Sequence, residues 1–87
     1  MNDIERRAIQ AVIALMMTGL KCVTEEQILD AIIPHDDPGA KSRPSYVYAV
    51  ERMVRRGLLS SQWEGTERIG YIPTEKAYAE LDASTQD

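Results

Sequence analysis

Eighty-seven residues with a net charge of −4 make one domain, with a core large enough to fold alone and too small to enclose a deep enzyme cleft. A hydrophobic share of 44% excludes a disordered chain, and 28% charged residues is ordinary for a soluble surface. A single cysteine, Cys22, excludes an internal disulfide and suits a reducing compartment.

The apolar run Ala8–Leu20 is broken by Gln10 and Thr18. It is too short to span a bilayer and has no small-residue cleavage site, so a cytoplasmic protein is expected. The charge is uneven. Residues 41–56 carry Lys41, Arg43, Arg52, Arg55 and Arg56 against Glu51 alone, a local +4, whereas residues 77–87 sum to −3. Local potential, not net charge, governs an encounter with a polyanion.

In chain order, Asn2 or Asp3 is placed to cap a first helix. Ile4, Ala8, Val12 and Leu15 recur at helical spacing, and Ile9, Ile13 and Met16 widen the stripe. Thr18–Gly19 ends it. Thr24–Gln27, "TEEQ", is a capping box for a second helix whose buried face is Ile28, Leu29, Ile32 and Ile33, and Pro34 stops it. Residues 34–44 read as a loop. A third helix starts near Pro44 or Ser45, turns Val47, Val50, Met53 and Val54 inward, and ends at Gly57.

After Gly57 the period shortens. "LLSSQW" and "RIGYIP" are β-compatible runs joined by the turn "EGTE", a hairpin closed by Pro73. Thr74 caps a last helix with Ala77, Tyr78 and Leu81 on its apolar side. Residues 1–83 thus form one mainly α domain with a small β-hairpin, ordered α-α-α-β-β-α, and residues 84–87 form a frayed polar tail. This is the winged helix-turn-helix arrangement, in which the second motif helix reads the major groove. Here that is the helix after Pro44.

The stretch from Val47 to Leu81 resembles the DNA-binding domain of PadR-like and, more loosely, MarR-like winged-helix transcriptional regulators. The resemblance rests on Val47, Val50 and Met53, then Arg55-Arg56-Gly57-Leu58-Leu59, then Trp63, Tyr71 and Thr74-Glu75-Lys76-Ala77. It departs from the family at Val47, where a tyrosine is common, and at Ala77, where a glycine is common. The resemblance implies a homodimer that reads double-stranded DNA.

In that reading Lys41, Arg43, Ser45, Tyr46, Tyr48 and Arg52 meet the duplex. Arginine and lysine pair best with guanine, and hydroxyls more often touch phosphate. Arg68 is a separate wing contact, although Glu64 and Glu67 flank it. Arg55 and Arg56 suit the negative end of the helix dipole.

Ile9 and Met16 of the first helix, with Tyr78 and Leu81 of the last, are the expected dimer interface. Trp63 is expected to cover the base of the wing, and Cys22 to be a small buried apolar residue. "HDD" at His35–Asp37 is a loop, not a metal site, because adjacent side chains do not converge on one ion. No catalytic constellation, cofactor motif or set of metal ligands is recognisable.

The expected function is therefore transcriptional regulation by a dimeric repressor, without enzymatic activity or cofactor. The alternative is a winged helix used as a protein–protein interaction module without DNA binding.

Overall fold

Helix α1, Asp3–Met16, begins where a reciprocal pair of side chains satisfies its first free amides. The Glu5 N–H donates to Asn2 Oδ1 (2.8 Å), and the Asn2 N–H donates to Glu5 Oε1 (2.9 Å). Helix α2, Glu25–Ile32, starts in the same way through Thr24 and Gln27. The chain, seen in a computed structural model that describes residues 1–34 and 43–85, continues with α3 at Arg43–Arg55. Two strands follow, β1 at Leu59–Glu64 and β2 at Glu67–Pro73, and then α4 at Glu75–Thr85. This is the expected α-α-α-β-β-α winged-helix layout. Helix α4 runs to Thr85, into the tail expected to begin at 84.

The core lies among the three N-terminal helices and the base of the hairpin. Ala8, Ile9 and Val12 of α1 meet Ile28, Leu29 and Ile32 of α2, Val50 and Met53 of α3, and Leu58, Leu59, Tyr71 and Ala77. All are buried, and together they supply the main drive for folding at about 25 cal/mol per Å² of apolar surface.

Helix α3 ends in a Schellman motif. The Leu58 N–H donates to the Met53 carbonyl (2.9 Å) and the Gly57 N–H to that of Val54 (3.1 Å). Gly57 takes the left-handed φ of 78° that the motif requires. The start of α4 then closes the junction. Thr74 Oγ1 donates to the Gly57 carbonyl and Lys76 Nζ to that of Arg56, at 2.5 and 2.6 Å.

The hairpin is antiparallel, with Ser61 opposite Tyr71 and Gln62 opposite Gly70. A bulge then intervenes, so that Trp63 faces Arg68 and Ile69 is the extra residue. The connection between α1 and α2 joins this sheet. Val23 and Tyr71 exchange both backbone hydrogen bonds, at 2.9 and 2.8 Å. The approach is close. A Cβ on Gly70 would lie 2.8 Å from Cys22 Sγ and from the Val23 carbonyl oxygen, so only glycine fits there.

An ion-pair network joins α1, the end of α3 and α4. The buried Glu5 carboxylate of α1 accepts from Arg56 Nη1 at the end of α3, and Arg56 Nη2 lies 3.8 Å from Glu80 of α4. Burial alone would raise the pKa of Glu5. The Asn2 amide, the hydrogen bond and charge of Arg56, and the N-terminal ammonium outweigh it and hold the carboxyl below its usual range.

A lowered folded pKa means that ionised Glu5 stabilises the fold above the unfolded carboxylate value, about 4.3. That stability is lost as pH falls through the lower folded value. Arg56→Gln removes the countercharge while burial persists. Urea melts at pH 7 are expected to show a loss of about 2–3 kcal/mol, below the cost for a fully enclosed pair because Arg56 stays partly in water. The gap between wild type and variant is expected to narrow near pH 4, where Glu5 of the variant is protonated.

Candidate nucleic-acid interface

The outward side of α3 follows from its inward side. Val50 and Met53 are buried, and Tyr46, Val47 and Val54 pack on the core from the same side. At 3.6 residues per turn the opposite side carries Ser45, Tyr48, Glu51, Arg52 and Arg55, all exposed. Tyr48 keeps 58% of its surface in water, and the Arg55 guanidinium lies 5.6 Å from the centre of its ring. Such a stack holds the cation without neutralising it. Among the described residues the Arg52 side chain has neither an ion pair nor a hydrogen bond, and its carbonyl accepts only the helical bond from the Arg56 N–H.

The expected DNA-contacting residues therefore do not form one group. Ser45, Tyr48 and Arg52 share the outward side, and Arg55 joins them. Tyr46 is half-buried and belongs to the inner side. Arg43, nine positions before Arg52, falls roughly half a turn away around the helix. It points back to α2, where its Nη2 donates to Glu26 Oε1. Lys41 and the His35–Asp37 triplet lie outside the described residues. Arg56, taken from the sequence as a dipole partner, is a structural clasp committed to Glu5 and Glu80.

On the wing, Arg68 lies 5.1 Å from the centre of the Trp63 indole and 5.6 Å from that of Tyr71, and donates from Nη1 to the Tyr71 hydroxyl (2.9 Å). Trp63 does not cover the base of the wing as expected. It is 55% exposed and lies beyond the bulge, toward the turn of the hairpin. The wing tip is acidic, with Glu64 directly opposite Glu67. A shallow groove of 270 Å³ separates the start of α2 from β2, lined by Glu25, Glu26, Arg68 and Ile69 among others.

The expected dimer residues also divide. Ile9 is wholly buried in the chain's own core, where α1 meets its neighbours, and presents no surface to a partner. Met16 and Leu81 are half-buried and pack against that core. Tyr78, 48% exposed, faces outward from α4 instead of completing its apolar side. Met17, at 83%, is the most exposed large apolar side chain among the described residues. Cys22 is half-buried against Gly70.

No protein-family model matches this chain, and no curated protein matches it either. Among the described residues, no helix is long and apolar enough to cross a membrane.

Trp63 is the single tryptophan and reports on the wing directly. Its emission is expected to be that of a water-exposed indole, open to iodide quenching. Arg68→Ala is expected to shift that emission and to lower stability by about 1 kcal/mol, through the lost stacking and the Tyr71 hydrogen bond. Unchanged emission would show that the guanidinium does not rest on the indole in solution.

Proposed function

We propose that this chain binds double-stranded DNA in a sequence-dependent way and acts as a small transcriptional regulator, a homodimeric repressor that excludes polymerase by occupying an operator. The observation that carries this reading is the outward side of α3. An unpaired Arg52, the Tyr48–Arg55 stack and the Ser45 hydroxyl stand together on a helix whose inner side and end are locked in place. Helices so held in winged-helix proteins enter the major groove, and arginine reads guanine there in bidentate fashion. The resemblance of Val47–Leu81 to PadR-like regulators supports the same reading. So does the cationic character of α3 within an acidic chain, since a duplex responds to local potential.

A second reading has its own observation. Trp63 and Ile69 are exposed apolar side chains on the wing, beside the Glu64–Glu67 tip. A protein partner would be contacted by such a surface, and its carboxylates repel phosphate. The two readings separate on salt. Each phosphate contact steepens the fall of log affinity with log salt by about 0.9. Absence of duplex binding even at low salt, with fragments selected from a random pool, removes the DNA reading.

Arg52→Ala is expected to weaken binding to a selected duplex by about 1–3 kcal/mol if the side chain reads a base. Its melting temperature is expected to match wild type, because the Arg52 side chain is exposed and has no ion pair or hydrogen bond among the described residues. Sedimentation equilibrium is expected to give twice the chain mass. Tyr78→Glu is expected to shift that mass toward the monomer, and a wild-type monomer at high concentration refutes the dimer.

A further inference from the structure

We propose that Glu26 is a built-in competitor for phosphate: it occupies Arg43 in the free protein, and duplex binding displaces it. This rests on the DNA-binding reading above and names a residue that sets its affinity.

Helix α2 does not need the Glu26 carboxylate for capping. The Gln27 N–H is already satisfied by the Thr24 hydroxyl, and Gln27 itself reaches back to the Thr24 amide. Glu25 and Glu26 both suit the positive end of the helix dipole, so neither is individually required there. The Glu26 side chain is spent instead across the helix–helix junction, on the first residue of α3.

The pair is one-pronged. A single nitrogen, Nη2 of Arg43, donates to a single oxygen, Oε1 of Glu26. Both side chains are largely in water, 46% and 70% exposed. Such pairs are weak and readily exchanged.

Glu26 also lines the groove between α2 and β2, and Arg68 lines that groove too. The carboxylate pairs with Arg43 and shares a groove with Arg68, two cations that do not belong to the outward side of α3. A phosphate diester carries the same charge and accepts from the same donors. For a phosphate to take Arg43, Glu26 must let go. Removing the carboxylate's charge then leaves the guanidinium open to the duplex without competition.

The test is a double-mutant cycle, read by anisotropy of a short labelled duplex selected by wild type, at low salt. Glu26→Gln is expected to tighten binding about two- to five-fold, the worth of a surface pair. Arg43→Ala is expected to weaken it. In the Arg43→Ala background the gain from Glu26→Gln is expected to shrink to near nothing.

An equal gain with and without Arg43 overturns the proposal, since Glu26 would then act only as general negative charge. Unchanged or weaker binding by Glu26→Gln overturns it too, the latter by making Glu26 a brace for Arg43. No binding by wild type or any of the variants removes the DNA-binding reading itself, and this inference with it. Binding by wild type with no coupling removes this inference alone.

Discussion

The guanidinium of Arg56 stands between carboxylates from two other helices, and the position of α3 depends on it. Glu5 is buried on α1, where an ionised carboxylate without a countercharge is costly. Arg56 supplies that charge from the end of α3 and reaches Glu80 on α4 as well. The Schellman turn occupies the Met53 and Val54 carbonyls of α3, and the Thr74 hydroxyl and Lys76 complete the same junction at the Gly57 and Arg56 carbonyls just beyond it. Anchored at its end by charge and along its inner side by Val50 and Met53, the helix leaves its outer side free of structural duty.

That division explains how an acidic protein carries a cationic face. The five arginines from Arg43 to Arg68 are used in three ways. Arg56 and Arg43 are matched by carboxylates. Arg55 and Arg68 lie on aromatic rings, which fix their direction while their charge persists. The Arg52 side chain has neither an ion pair nor a hydrogen bond among the described residues. Counting arginines overstates the field of the segment, because the matched ones contribute little beyond their own pair. What is left is Arg52 and Arg55 on the outer side of α3 and Arg68 on the wing.

Much of the fold was legible because its signals are local. The Thr24–Gln27 capping box, the cap at Asn2, the Gly57 terminus and the turn at Gly65 each depend on residues within a few positions of one another. The inner side of α3 was legible from spacing alone. The same spacing separates Arg43 from Arg52, yet their closeness in sequence made them look like one cluster. The pairs joining Arg56 to Glu5 and Arg43 to Glu26 link residues 51 and 17 positions apart. No periodicity encodes such matches. Trp63 was misplaced for a different reason. Strict alternation from the buried Leu59 turns it inward, yet beyond the bulge, whose extra residue sits on the opposite strand, its ring stays exposed. The burial of Ile9 was visible as an apolar stripe, but a stripe does not say whether a core or a second chain covers it.

The backbone exchange between Val23 and Tyr71 has a kinetic meaning. A two-stranded hairpin is marginal alone in water, and this one gains its third partner from a segment far upstream. Nearby, Cys22 and Ile69 meet across 47 positions. Closing so long a loop is slow compared with forming a helical turn, and it is rewarded only once both ends are present. During synthesis the pairing of α1 with α2 is available long before residue 71 exists. The wing therefore finds its upstream neighbour only after α1 and α2 are both available to pair.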